Sequence, residues 1–360
     1  MGEIMKNITA QAHGRVNLIG EHTDYNGGWV LPTTIPQKTL VSLWRREDRR
    51  VSASSSNLEE GGGREIYYSL GEEAPTKTWI DYIQGVTRIL DQEGMKISGF
   101  KLQVDSTVPV GSGLSSSAAL EVSFLKALRE AFSLNLSDIE IAKIGQRAEN
   151  EFVGARVGIM DQMACCLAKE GEALFLDTKT LAYQHIPLCL DKMDLLVINS
   201  GVMHDHAGGD YNQRRSECEE ACGRLKIHEL RELTLADLPK LEELPPVLQR
   251  RARHVITENQ RVHSAVQALL KGEVVRLGEL FYESHLSMAQ DYEVSIPEID
   301  TLVRLCREHG DVYGARLTGG GFGGSIVGLT RPGTSKTVGS FVARQYHELT
   351  GLQAKVLVSS

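Results

Sequence analysis

The chain of 360 residues is long enough for one large or two medium domains, and with 41% hydrophobic residues it can bury a sizeable core. Its 39 basic and 47 acidic residues leave a net charge of −8, which argues against general affinity for nucleic acid or anionic membrane. An anionic ligand must therefore be held locally, by backbone N–H groups, a few cations or a metal ion.

The opening "MGEIMKNITAQ" holds no apolar signal-peptide core, and Lys6 stands where a myristoylation signal needs Ser or Thr. No run approaches the ~20 apolar residues that span a bilayer. Residues 14–32, "GRVNLIGEHTDYNGGWVLP", then gather Arg15, Glu21, His22 and Asp24 between an apolar "VNLI" and an apolar "WVLP". On spacing alone, two readings stay open. The four groups pair with one another to shape the turn, or they serve a polar ligand.

"KTLVSLWRR" (38–46) and "FKLQVDSTV" (100–108) read as strands, and "NLEEGGGREI" (57–66) as a hairpin loop. Between them, Trp79, Tyr82, Ile83, Val86 and Ile89 follow helical spacing, and Gly94 stops that helix. "VPVGSGLSSSAAL" (108–120) comes next, with two Gly and four Ser ahead of a helix. Gly111 and Gly113 let the backbone approach an anion, and the helix N-terminus adds partial positive charge. This is a phosphate cradle without the Lys of a Walker loop, unless it merely caps the helix. The helix itself carries Leu120, Phe124, Ala127 and Ala131 on one stripe, widened by Val122, Leu125, Leu128 and Phe132. It is expected to be buried on most of its circumference.

Ser137 and Glu140 form a capping box that opens a helix running to Gly154. Glu149 lies on its charged face and by itself reads as solvated. Asp161, in "GIMDQM", is an acid inside an apolar run, costly to bury unless paired or working. A domain border is placed near residues 180–193. "DLLVINSG" (194–201) reads as a buried strand, and residues 210–309 as nearly all helical. "GARLTGGGFGGS" (314–325) gives up much backbone entropy for close approach, or else forms a bulge or hairpin tip. "AKVLVSS" ends the chain as a strand. Cys165, Cys166, Cys189, Cys218, Cys222 and Cys306 make no CxxC and no zinc pattern, which fits a reducing cytoplasm.

Three of these stretches, "GRVNLIGEHTDYNGGWVLP", "VPVGSGLSSSAA" and "GARLTGGGFGG", resemble in order and spacing the signature motifs of GHMP-type small-molecule kinases. The first resembles the galactokinase signature nearly letter for letter. "AENEFVG", "GIMDQ", "YNQRRSECEEA" and "DYEVSIPEID" agree with that branch as well, so the likeness runs from about residue 12 to 330. It implies an α+β fold of two domains, residues 1–190 and 191–360, with the active site in the cleft between them.

The activity implied is transfer of the γ-phosphoryl of ATP to the anomeric hydroxyl of galactose. By the same resemblance, Asp161 takes or orients the hydroxyl proton, and Arg15 points at the reacting oxygen and at Asp161. Glu21, His22, Thr23, Asp24, Gly158 and Tyr211 contact the sugar. Gly111, Ser112, Gly113, Leu114, Ser115, Ser116 and Ser117 wrap the ATP phosphates, and Ser55 is a further ATP contact. Ser117 and Glu149 are the implied protein ligands of Mg²⁺, an ion that keeps waters and phosphate oxygens in its shell. A monomer or weak homo-oligomer with galactose and ATP as its partners is expected, without nucleic acid or membrane.

The sequence departs from the family pattern in places. His13 replaces a Pro before "GR", Ser325 replaces a common Cys, "ARVGIMDQ" lacks a Pro-Cys, and "HDHAGGDYN" has Gly208 and Gly209 where bulkier Ser is common. A roomier sugar pocket, open to N-acetylgalactosamine or arabinose, is one alternative. A sugar sensor without catalysis is another, against which the intact "SSSAA" speaks.

Overall fold

Half-buried alternation and fully apolar runs produce twelve strands and nine α-helices among the described residues, 7–57, 65–202 and 207–359, in this computed structural model. In chain order they are β1 (Ile8–Asn17), β2 (Trp29–Val30), β3 (Pro32–Arg45), β4 (Arg50–Ser55), β5 (Ile66–Ser69), α1 (Ile80–Gln92) and β6 (Phe100–Ser106). There follow α2 (Ser116–Phe132), α3 (Asp138–Arg147), α4 (Met160–Leu167), β7 (Glu172–Asp177), β8 (Tyr183–Pro187) and β9 (Asp194–Asn199). The rest comprises α5 (Ala207–Leu225), α6 (Pro246–Lys271), α7 (Val274–Ser287), α8 (Pro297–Glu308), β10 (Val312–Thr318), β11 (Ser325–Thr330), α9 (Ser335–Thr350) and β12 (Lys355–Ser359). Most of the expected 57–66 loop lies outside the described residues.

Two compact units share these elements. One takes the chain up to Arg15, Ile35–Val110 and Ser115–Leu167. In it β3 pairs antiparallel with β6, β6 lies parallel to β4, and β4 pairs antiparallel with β5. α1, α2, α3 and α4 pack on one another. α2 has no solvent face to speak of: Ala118 to Leu125 are all buried, Glu121 among them. The capping box of α3 forms as expected, the Ser137 hydroxyl accepting from the Glu140 N–H. After Arg147 the coil widens into a π turn, Ala148–Val153, and stops at Gly154 with φ 87°. The solvated reading of Glu149 is corrected: it continues the buried face of Ala142 and Gly145, and only 5% of it stays exposed.

The second unit takes Val16–Thr34, Gly111–Leu114 and the chain from Ala168. Its sheet runs β10-β11-β9-β12, antiparallel throughout, with the buried β9 inside. β7 pairs antiparallel with β2 and β8. α7 and α8 cover β10, α9 covers β9, and α6 packs along α7.

Candidate active site

In the first unit, Arg15 lies near the end of β1 and is 4% exposed. Its Nε donates to Asp161 Oδ1 and its Nη2 to Oδ2, both at 2.9 Å, a two-pronged charge-assisted pair. Asp161 is the second residue of α4, and its side chain keeps 30% exposure. The apolar residues around it fix the helix start, and Arg15 supplies the partner that a carboxylate there requires. Ser115 was expected to hold phosphate. Its hydroxyl donates to Asp161 Oδ2 at 2.6 Å.

Behind this pair lies a buried acidic group. Gln162 Nε2 donates to Glu121 Oε2 at 3.2 Å and to Glu149 Oε1 at 3.4 Å. Burial pushes Glu149 up to about 7, and the Asp161 charge adds to this, while a hydrogen bond from Ser117 opposes it. Burial, and after it the Glu149 charge, also drive Glu121 well above the ordinary carboxylate range. The two residues expected to hold Mg²⁺ are thus brought together, hydroxyl against carboxylate. Buried Glu121 Oε1 and Gln162 Oε1 lack hydrogen-bond partners, so this group has oxygen acceptors to spare. Hard oxygen donors of this kind suit Mg²⁺. No cluster of three or more His, Cys, Asp or Glu among the described residues could hold a metal, so phosphate and water would complete the shell. Glu121 and Gln162 escaped sequence reasoning. An acid in the middle of a helix buried all round was the signal available for Glu121.

In the second unit, the residues of the polar turn bond to groups packed around them. Glu21 is 1% exposed; Gly319 N–H donates to its Oε1 at 2.9 Å, Arg316 Nη2 to its Oε2 at 3.0 Å, and Asn17 Nδ2 also to Oε2. His22, at φ 61°, places Nδ1 at 2.8 Å from the Tyr25 hydroxyl and Nε2 at 3.2 Å from the Gly320 carbonyl. Burial, with His254 nearby, drives its pKa down to about 3, so the ring is neutral. A neutral ring donating from Nε2 to the carbonyl accepts at Nδ1, which sets the tautomer. Thr23 donates to the Gly20 and Trp29 carbonyls and holds the turn closed. Asp24 is half-buried, in a short 3-10 turn. Tyr211, near the start of α5, brings its ring within 5.3 Å of His22 and 5.4 Å of Tyr25. Met203 to His206, part of the departure noted above, lie outside the described residues.

Arg316 organises this region. It is fully buried, donates to the Leu18 and Asn17 carbonyls at 2.9 and 3.3 Å, and lies 3.6 Å from Glu258. Against the pull of burial, Arg261 and Arg316 hold Glu258 at about 2. An Arg inside the apolar "GARLTG" was a signal that the Gly-rich stretch overshadowed.

That stretch achieves close approach. Gly113 (φ 76°) and Gly319 (φ 90°) face each other so tightly that a Cβ on Gly319 would meet the Gly113 Cα at 3.1 Å. Ser112 is buried and its carbonyl accepts from Ser325 Oγ at 2.7 Å, a use for the Ser that replaces the common Cys. Leu114 is buried, Gly111 is exposed, and Ser116 opens α2. Gly158 is buried just ahead of α4. Ser55 closes β4, where its hydroxyl accepts from the Asn57 N–H at 3.3 Å.

Comparison with known proteins bears on this geometry. Residues 3–44 match the galactokinase galactose-binding signature, 81–169 the N-terminal domain of GHMP kinases, and 265–348 their C-terminal domain. A galactokinase of Thermosipho africanus is 42% identical over 96% of both chains. One from Thermotoga maritima is 40% identical over 96% of this chain and 95% of its own. The crystal structure of Lactococcus lactis galactokinase complexed with galactose superposes with a TM-score of 0.95 at 34% identity, covering 99% of this chain and 93% of that one. A mevalonate kinase at 17% identity and TM-score 0.69 shares the fold.

Proposed function

The chain belongs to the galactokinase family of GHMP kinases, and from that premise we propose that it transfers the γ-phosphoryl of ATP to the anomeric hydroxyl of galactose. The products are galactose 1-phosphate and ADP. The carrying observation is the Arg15–Asp161 pair, held at 2.9 Å on both prongs, with the carboxylate side chain 30% exposed.

Phosphoryl transfer needs positioning and charge neutralisation more than covalent help. Asp161 receives or orients the proton of the C1 hydroxyl, and Arg15 holds that carboxylate and offsets charge at the reacting oxygen. Backbone N–H groups of residues 111–117 cradle the phosphates, and Ser55 is retained as a further nucleotide contact. Ser117 and Glu149 would hold Mg²⁺, which when bound neutralises charge on the phosphate oxygens. The depressed charge of Glu149 in the protein alone supports that assignment, since a nearby cation would favour its carboxylate.

On the sugar side, Asp24 and Tyr211 make direct contacts and Gly158 passes its backbone beside the ring. Glu21, His22 and Thr23 act on the sugar from within the turn they stiffen. The reading of residues 1–190 as the N-terminal kinase domain and 191–360 as the C-terminal one places one family match in each, while the compact units divide the chain differently, with 16–34, 111–114 and 168–190 in the second. A cytoplasmic site of action is supported by six free thiols. No helix among the described residues is long and apolar enough to cross a membrane. A monomer or weak homo-oligomer completes the reading.

ADP release coupled to a dye, run with galactose, glucose, N-acetylgalactosamine and arabinose, tests it. Galactose should give the highest kcat/KM. A higher value for another sugar overturns the substrate, and no ADP with any sugar overturns the activity.

A further inference from the structure

Ser115 is the least relaxed residue of the Gly/Ser loop. It sits at the N-cap of α2 with φ 62° and ψ 48°, a left-handed conformation that L-residues with a side chain adopt at a cost. A serine at an N-cap ordinarily turns its oxygen onto the first N–H groups of the helix. Here it makes no such bond. The hydroxyl reaches away from the helix and donates to Asp161 Oδ2 at 2.6 Å, the same oxygen that Arg15 Nη2 meets at 2.9 Å. Ser115 is 7% exposed, so water is a poor substitute for that bond.

A hydroxyl has one proton to give. Spent on Asp161, it is not available to a phosphate oxygen, which has no donor of its own to return. The side chain therefore does not act as a phosphate ligand while this bond stands; the backbone N–H alone is left for that task. Arg15 sets the carboxylate from one side through two prongs. Ser115 approaches from the loop and stops the carboxylate from swinging about its own axis.

Resting on the kinase reading above, we propose that Ser115 is a positioning residue for Asp161, joining the loop that cradles phosphate to the carboxylate that receives the sugar hydroxyl. The left-handed backbone is what carries the hydroxyl to Asp161. The start of α2 and the orientation of the carboxylate are thereby coupled through one hydroxyl.

Steady-state kinetics on the full chain test this with Ser115→Ala and Ser115→Gly, together with calorimetric titration of a non-hydrolysable ATP analogue. Both variants lose the hydroxyl, and Gly also removes the left-handed strain, so the pair separates the hydroxyl's effect from the strain's. Both should lower kcat by ~10-fold or more, as expected for a misplaced catalytic group. KM for ATP and analogue affinity should stay within about twofold, a split that a phosphate ligand would not give. Recovery of kcat by Ser115→Gly would show that strain alone mattered and would overturn the inference. Retained kcat in Ser115→Ala, or a loss confined to ATP affinity, would overturn it too while leaving the kinase reading intact. Only a wild-type chain that makes no ADP from galactose and ATP would remove both.

Discussion

Replacing Arg316 with Met tests whether a buried ion network shapes the polar turn. Arg316 is fully buried and bridges Glu21 at 3.0 Å, Glu258 at 3.6 Å, and the carbonyls of Asn17 and Leu18. Met fills much of the same volume, so the loss is chiefly of charge and donors. Glu258 keeps Arg261 at 2.7 Å, and Glu21 keeps the Asn17 and Gly319 donors but loses the guanidinium. Removing one partner of a buried pair typically costs ~3–5 kcal/mol. With an unfolding entropy near 2 cal/mol/K per residue, a unit of a few hundred residues should melt roughly 4–10 °C lower. Scanning calorimetry measures this. KM for galactose should rise with it, because the turn loses its brace from Asn17 to Glu21, whereas KM for ATP should move little. Adding Glu21→Gln should recover part of the melting temperature, since it removes the buried charge that Arg316 faced. An Arg316→Met protein melting within ~1 °C of wild type would refute the reasoning, as would a double variant no more stable than the single one.

Asp161→Asn should lower kcat by at least ~10²-fold, the scale for a lost positioned base, while ATP still binds; near-full turnover would remove Asp161 from the chemistry. Ser117→Ala and Glu149→Ala should each raise the Mg²⁺ concentration needed for half-maximal activity, and superimposable Mg²⁺ titrations would end that assignment. Asp24→Ala should weaken galactose binding and narrow the preference for galactose over its C4 epimer by ~1–3 kcal/mol, read as kcat/KM ratios. His22 and His254 are held neutral, at about 3 and about 4 against an ordinary 6.5, chiefly by burial. The unfolded chain therefore binds protons below pH 6.5 that the folded one refuses, and stability is full above that value and lost as pH falls toward 4 and 3. His254→Gln should flatten this acid loss in melts between pH 6.5 and 4. An unchanged slope would show that His254 takes no proton on unfolding.

Periodicity and local chemistry made much of this protein legible in advance. The capping box at Ser137, the helix after the Gly/Ser loop and the buried strand around Leu196 follow from side chains a few residues apart, and such rules need no partner from elsewhere in the chain. The three motifs carried the family and with it the proposed roles of Arg15 and Asp161, which do meet. Other features depended on contacts across long sequence distances. Glu149 reads as solvated from the charged residues beside it, and only packing against distant segments sends it inward beside Gln162. Nothing local shows that the Ser115 backbone is left-handed and its hydroxyl bound to Asp161, 46 residues away. That Glu21 is braced by Arg316, 295 residues on, is likewise set only by the fold. A charge is solvated or buried, and a hydroxyl free or spent, according to what packs against it, and that is set when distant segments exclude water together.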